Sequence, residues 1–335
     1  MRISIGTIAA LASLLCASPA RAQTPPEQTS PAQAWPEHHV SMIVPFAAGS
    51  AIDVVARILA AGMSQHLGQT IIVEDIGGAG GTVGVEHVAK AAPDGYQIVL
   101  GALDTFAQAR FLYSQLRYDS VKDFVPVGLV VDQPLLLTVR STLPVQNVQE
   151  FVDYTRKNHA TMQFGSGGVG AGPYLVCALV NQAMGVEVTH VPYRGSALAL
   201  EDMAAGRLDY YCPLAPAAMA LMANNSIKAL AVLTENRSDL LPNLPTGKEQ
   251  GLPVTGGYAW FAIFAPKGTP PAIVQKLNAA TVATLDDPVI QDRLKTAAAV
   301  AVSPERRSSA YLAAYLNDEI EKWGAIIKAS NIQPQ

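Results

Sequence analysis

Segments with the pattern of β-strands alternate with segments with the pattern of α-helices, and this order restricts the fold more than any other feature of the chain. Near the start, strands are predicted at 40–46, 71–73 and 97–100, with helices at 53–67 and 83–91 between them. Strands separated by helices usually pair in parallel, because the crossover helix returns the chain to the edge where the last strand began. The sequence therefore predicts an α/β fold with covered sheet faces.

The alternation resumes after a break, which predicts a second α/β unit joined to the first by extended crossings. The later predicted strands lie at 135–139, 162–164, 188–191, 208–211, 229–233 and 260–265, and the later predicted helices at 148–158, 172–184, 198–205, 271–285 and 308–329. Ligands of such sheets bind at the carboxyl ends of the strands. We therefore look for function in the loops that follow the strands.

The N-terminal segment has the pattern of a secretory signal. Arg2 precedes an apolar run at 3–15, and the small residues before Gln23 predict a signal peptide of 1–22 cleaved after Ala22. The Pro-, Gln- and Thr-rich stretch that follows predicts a disordered leader at 23–35. We expect an exported protein.

Charge and cysteine content narrow the choice of partners. The formal net charge of −4 and the absence of a basic run argue against a nucleic-acid or anionic-membrane partner.

Cys177 and Cys212 remain after signal removal, and both stand in apolar surroundings. Two buried thiols are the favoured interpretation, and a disulfide in an oxidising compartment is the alternative.

Three loops combine glycines with small residues directly before a predicted helix, at 45–53, 77–82 and 165–172. Without large side chains, backbone N–H groups at a helix N-terminus are free to converge on an anion. The alternative for any one loop is that its glycines only turn the chain. Three such loops together predict a carboxylate-binding site.

Several runs of sequence resemble the Bug-type solute receptors of the tripartite tricarboxylate transporter family. The resemblance covers the chain from about Trp35 onward. The runs are VPFAAGS at 44–50, DVVAR at 53–57, GAGG at 78–81, AKAAPDGY at 89–96, VPYRGS at 191–196, LPT at 244–246, EQGLP at 249–253 and APKGTP at 265–270.

The resemblance implies a two-lobed periplasmic binding protein of the Venus-flytrap, type II-like class, with a mainly parallel sheet in each lobe. Lobe 1 is expected at 36–123 and 256–335, and lobe 2 at 124–255. The receptor is expected to be a monomer, without cofactor or metal, that delivers a small carboxylate to the membrane permease of a tripartite transporter. The implied ligand-binding residues are Phe46, Ala47, Ala48, Gly49, Ser50, Ile52, Asp53, Asp104, Ser166, Gly167, Gly168, Val169, Tyr193, Arg194 and Gly195.

Single residues within this set keep open alternatives. Ile52 stands where relatives often have Thr, which indicates a ligand with an apolar body, an aromatic or aliphatic acid, unless Ile52 packs under its own helix. Asp53 is expected to cap its helix rather than to contact the ligand. Arg194 pairs with a distal carboxylate or is solvated. Tyr193 and Trp260 stack on a ligand or belong to the core.

Other functional classes find less support. The GAGGTV run at 78–83 lacks the third glycine of a dinucleotide-binding loop, Ser166 lacks the G-x-S-x-G spacing, and the histidines lack metal-ligand spacing. We therefore do not expect an enzyme. A receptor that signals to a membrane sensor, instead of feeding a permease, is the remaining alternative.

Overall fold

The computed structural model describes residues 35–168, 172–238, 240–254 and 256–329. The predicted signal peptide lies outside the described residues, as does the predicted leader except for Trp35. Trp35 is 4% exposed and packs in the core, so this residue is not disordered.

The described residues form two sheets and the helices that cover them. The elements in chain order are β1 (Val40–Val44), α1 (Ala51–Leu67), β2 (Ile71–Asp75), α2 (Thr82–Ala89), β3 (Gln97–Ala102), α3 (Ala109–Leu112), β4 (Phe124–Pro134), β5 (Leu136–Arg140), α4 (Val148–Asn158), β6 (Gln163–Ser166), α5 (Gly172–Met184), β7 (Thr189–Pro192), α6 (Ser196–Ala204), β8 (Tyr210–Tyr211), α7 (Ala215–Ala223), β9 (Ile227–Val232), β10 (Tyr258–Pro266), α8 (Pro271–Asp286), α9 (Pro288–Thr296), β11 (Val300–Ala301) and α10 (Ser309–Ala329).

The first sheet is mixed, in the order β11-β4-β10-β3-β1-β2. β1 pairs in parallel with β2 and β3, whereas β10 runs antiparallel to both β3 and β4. The chain leaves this sheet along β4 and comes back along β10, so these two strands must run in opposite directions. The expectation of a mainly parallel sheet is wrong here for that reason.

The second sheet is mixed as well, in the order β7-β6-β8-β5-β9. β6 is parallel to β7 and β8, and β5 is antiparallel to β8 and β9. The α/β class and the two sheets agree with the sequence-based prediction, and only the strand directions differ.

The chain changes sheets after β4 and not at residue 124, where the sequence placed the second lobe. β4 was not predicted as a strand because prolines interrupt its pattern. Pro126 lies beside an irregularity in the pairing of β4 with β10, which is where a sheet tolerates a missing N–H donor. The chain returns to the first sheet along β10, which begins at Tyr258.

Three helices were also missed, the four-residue α3, α7 and α9. α7 has the sequence APAAMALMA, which is apolar on every side and gives no helical period. α9 begins at Pro288, directly after Asp287, whose side chain accepts the backbone N–H of Val289. This N-cap and the Pro at the first helical position were a readable start signal.

Cys177 of α5 and Cys212, which follows β8, form a disulfide with a Cα–Cα distance of 5.5 Å. The favoured interpretation of two buried thiols is therefore wrong. The two cysteines are 35 positions apart, and the sequence gave no indication that α5 packs over β8. Both cysteines are fully buried, so the bond ties a helix to the sheet inside the core.

Candidate functional site

A cleft of about 480 Å³ lies between the two sheets. Four helices begin at it, α1, α5, α6 and α7, each of which contributes residues at its N-terminal end. The first N–H groups of a helix have no partner within the helix, and the helix dipole is positive there. The lining residues are Phe46, Gly49, Ser50, Ala51, Ile52, Ala102, Asp104, Gly167, Pro173, Gly195, Ser196, Ala197, Leu214, Pro216, Ala217, Ala259 and Phe261.

The loop between β1 and α1 brings Gly49, Ser50 and Ile52 to the cleft. Gly49 has a φ of +79°, a left-handed conformation that glycine adopts at little cost. Ser50 precedes the first helical residue, and its hydroxyl is buried without a partner among the described residues. Ile52 is only 3% exposed and packs mostly beneath its own helix, so it adds an apolar edge to the cleft wall.

Asp53 does not line the cleft, and it fixes the loop in a different way from the predicted N-cap. It is the third residue of α1, and its Oδ2 accepts the backbone N–H of Gly49 at 2.7 Å. Its Oδ1 lies 2.7 Å from Nε of Arg57, one turn further along the helix. Asp53 therefore stabilises the conformation of the loop from the first turn of α1, and its carboxylate does not line the cleft.

The second glycine-rich loop, at 77–82, does not reach the cleft. A Cβ on Gly77 would lie 3.4 Å from the backbone of Phe46, and a Cβ on Gly84 would lie 2.8 Å from Cα of Pro45. Small residues are needed here so that this segment can pack against the first loop. The glycines of this loop do not line the cleft, and close packing accounts for Gly77.

The third glycine-rich loop reaches the cleft through Gly167. Ser166 is fully buried, and its hydroxyl lies 2.7 Å from Nε2 of His190. Burial lowers the pKa of His190 to about 4, so the ring is neutral at physiological pH. Because the Ser166 hydroxyl faces protein, the pair orients the loop and offers no exposed nucleophile. The predicted residue Val169 lies outside the described residues.

Gly167 and the N-terminus of α6 approach each other closely at the cleft. A Cβ on Gly167 would lie 3.3 Å from the backbone nitrogen of Ser196, which itself lines the cleft. The Ser196 hydroxyl lies 2.9 Å from the hydroxyl of Tyr211, and burial raises the pKa of that tyrosine to about 12. This contact fixes the start of α6.

Asp104 supplies the charge at the cleft. It begins a π-helical turn, Asp104–Gln108, that follows β3, and its side chain is partly buried. Burial raises the pKa of Asp104 to about 6, although its carboxylate accepts the backbone N–H of Gly172 at the start of α5, which acts in the opposite direction. Among the described residues that line the cleft, none is Lys, Arg or His.

Several predicted residues lie beside the cleft without lining it. Ala47 and Ala48 form the exposed outer turn of the first loop, Gly168 follows Gly167 away from the cleft, and Arg194 is exposed. The hydroxyl of Tyr193 donates to Oδ2 of Asp202, so this ring is held on the outside of α6. Trp260 is fully buried in the core, where Nε1 donates to Oε2 of Glu319 at 3.1 Å.

The sequence gave no indication of one wall of the cleft. Leu214, Pro216 and Ala217 come from the start of α7, and Ala259 and Phe261 come from the returning strand β10. The Pro after Ala215 was a helix-start signal that could have located the first group. The second group depends on β10 crossing from one sheet to the other, which no local pattern encodes.

Two other kinds of feature are missing from the described residues. No group of His, Cys, Asp or Glu there is arranged to hold a metal ion. No helix in the described part of the chain has both the length and the apolar content that a membrane crossing requires.

Comparison with known proteins identifies the family. Residues 55–332 match the family described as "Tripartite tricarboxylate transporter family receptor". The chain belongs to this family. Its members are solute-binding receptors and not a class of enzymes, which agrees with the resemblance in the sequence motifs.

Solved structures of similar receptors share the fold. The periplasmic binding protein BugD is 36% identical, with 90% of this chain and 100% of BugD covered and a TM-score of 0.79. MatC from Rhodopseudomonas palustris with bound malate is 36% identical, with 88% of this chain and 100% of MatC covered and a TM-score of 0.78. An R. palustris protein with adipate is 33% identical, with 90% and 100% covered and a TM-score of 0.81.

Proposed function

We propose that this receptor captures a small carboxylate in the cleft between its two lobes, in the periplasm, and delivers it to the membrane permease of a tripartite tricarboxylate-type transporter. We include in the proposal an N-terminal signal peptide cleaved after Ala22, and lobes that are each built on one sheet and close around the ligand. The observation that carries the proposal is the convergence of four helix N-termini on one cleft.

Helix N-termini suit a carboxylate better than a neutral ligand. Each end carries a partial positive charge of roughly half an elementary charge, and the ends of α1 and α6 also offer backbone N–H donors. In the first loop, Asp53 already accepts the N–H of Gly49. The N–H groups of Ala51 and Ile52 are therefore the ones left for a ligand. The bound malate and adipate of the two R. palustris proteins agree with this chemistry.

The body of the ligand is proposed to be apolar. Phe46, Leu214, Pro216 and Phe261 line the cleft, and Ile52 adds its edge. Apolar walls with a few polar groups at fixed positions are typical of sites for small organic molecules. Aromatic and aliphatic acids therefore fit the cleft better than compact, highly charged acids.

Cleft-filling variants test the location of the site. Ala217 and Ala220 are both exposed alanines on α7, and only Ala217 lines the cleft. We expect Ala217→Phe to weaken carboxylate binding at least tenfold in isothermal titration calorimetry, and Ala220→Phe to leave it unchanged. Protein unfolded and refolded to remove carried-over ligand is used for both. Equal affinities in the two variants would place the site elsewhere.

Uptake measurements test the transport role. A strain that lacks the protein should lose uptake of the carboxylate that the purified receptor binds, and expression of the protein should restore it. Unchanged uptake together with lost induction of the genes that degrade that carboxylate would assign the receptor to a sensor.

A further inference from the structure

We infer that the ligand is a monocarboxylate that carries a hydrogen-bond donor, an ammonium or a hydroxyl group, at its far end, and that Asp104 recognises this donor. The inference rests on the proposed function and deepens it. It sets this receptor apart from one built for dicarboxylates.

The charge balance of the cleft is the first observation. Asp104 is the ionisable side chain among the described lining residues, and it carries the same sign as a carboxylate ligand. A like charge in the same cleft repels a second carboxylate. A ligand with an acid at both ends therefore meets attraction at the helix N-termini and repulsion at Asp104.

The position of Asp104 is the second observation. Its carboxylate accepts the N–H of Gly172, and Oδ1 would lie 2.9 Å from a Cβ placed on Gly172. This contact occupies the N-terminus of α5, so that helix end is not free for a second ligand carboxylate. A carboxylate has about four acceptor sites, so Asp104 keeps acceptor capacity that a ligand donor can use.

A buried amide beside Asp104 is the third observation. Gln108 is fully buried, and neither its Nε2 nor its Oε1 has a partner among the described residues. Oε1 would lie 3.8 Å from the same Cβ on Gly172, so the amide lies near the Asp104 carboxylate although it does not line the cleft. Buried polar groups are normally hydrogen-bonded, so the unpaired amide makes the protein beside Asp104 polar.

The titratable and charged side chains near Asp104 are the fourth observation. The charge of Asp104 acts on the nearby hydroxyls of Tyr113 and Tyr211, and no Lys, Arg or His is among the described residues that line the cleft. An ammonium group on the ligand would supply the cation that the protein itself does not place there.

Matched ligand series test the inference by isothermal titration calorimetry on the refolded protein. One series is hexanoate, 6-hydroxyhexanoate, 6-aminohexanoate and adipate. The other is 4-methylbenzoate, 4-hydroxybenzoate, 4-(aminomethyl)benzoate and terephthalate. Within a series only the far group changes. We expect a donor-terminated member to bind at least tenfold more tightly than its methyl-terminated and carboxylate-terminated counterparts.

Charge-neutral variants complete the test. Asp104→Asn should reduce the preference for the donor-terminated ligand over the methyl-terminated ligand to less than threefold, because the contact with the donor is lost. Asp153→Asn, on the exposed face of α4, changes the net charge equally and should leave every affinity as it was. The inference would be overturned if adipate or terephthalate bound most tightly, or if Asp104→Asn lowered the affinity for all ligands equally. Either result would leave the proposed function standing. If neither series binds, the proposed function fails and the inference with it.

Discussion

The carboxylate of Asp53 accepts the backbone N–H of Gly49 at 2.7 Å, and this bond holds the loop that opens the cleft. The helix residue therefore reaches back to the residue before the N-cap Ser50. With that N–H occupied, the donors left for a ligand are those of the first helical turn. The bond also fixes Gly49, which lines the cleft, so we expect a bulky side chain there to obstruct the cleft.

A bulky residue at position 49 should block binding without unfolding the receptor. Gly49 and Gly68 lie at opposite ends of α1, have φ values of +79° and +70°, and each has open space for 4 Å around the position that a Cβ would take. Leucine at either position should cost about 1–2 kcal/mol of unfolding free energy for the left-handed backbone. Only Gly49→Leu should lower affinity, by at least tenfold in calorimetry. Equal binding by Gly49→Leu and Gly68→Leu would exclude the first loop from the site.

The ionisation of Asp104 should make the stability of the ligand-free receptor depend on pH. Its pKa is raised from 3.8 to about 6 by burial, so the folded state favours the protonated form. The resulting contribution to stability is complete below about pH 4 and is lost as the pH rises through about 6. Asp104→Asn should therefore be more stable than the wild type at pH 7.5, by about 1–2 kcal/mol.

Urea unfolding at several pH values measures this difference. At pH 4 the variant should have no advantage, because the wild-type side chain is then largely protonated. A constant difference between the two proteins at pH 4 and pH 7.5 would show that Asp104 ionises normally.

The disulfide between Cys177 and Cys212 should be a large part of the stability of the second sheet and its helices. The double variant Cys177→Ala and Cys212→Ala should lose about 4 kcal/mol of unfolding free energy, because a loop of this length is no longer closed in the unfolded chain. A reducing agent should lower the stability of the wild type and leave the double variant unchanged. Insensitivity of the wild type to reduction under unfolding conditions would contradict the bond.

Glu319 should be essential for the packing of α10 on the first sheet. Its Oε2 accepts Nε1 of both Trp260 and Trp323, each at 3.1 Å, and Lys322 pairs with its Oε1. Glu319→Ala would bury both indole donors without an acceptor, at a cost of about 2–5 kcal/mol. Glu319→Gln keeps an acceptor and should cost less. Urea unfolding followed by tryptophan fluorescence measures both, and equal stability of the two variants would show that the indole contacts contribute nothing.

Local patterns predicted the elements whose signals are local. The helices at 148–158 and 172–184 have the bounds predicted for them, because each has a clear start and an apolar period. β4 was missed because its prolines interrupt the strand pattern, and α7 was missed because it is apolar all round. The directions of β4 and β10 and the pairing of Cys177 with Cys212 depend on how distant segments meet.

The residues that line the cleft were likewise predicted only in part. Two of the glycine-rich loops contain Gly49 and Gly167, and the family resemblance pointed to Gly195; all three glycines line the cleft. The wall from Ala259 and Phe261 was not predicted, because it exists only where β10 passes between the sheets. Whether the predicted residues bind a ligand remains a prediction that the variants above address.

The most direct test of the central claim compares carboxylates with their own primary amides by thermal unfolding of the refolded receptor. Helix N-termini should bind the anion and discriminate against a neutral group of the same shape. At 100 times its dissociation constant a carboxylate adds about 2.7 kcal/mol to the unfolding free energy, a clear rise in Tm. We predict that carboxylates raise the Tm and that their amides at the same concentration do not. Equal shifts by acid and amide, or shifts by neutral compounds alone, would contradict a cleft built for a carboxylate.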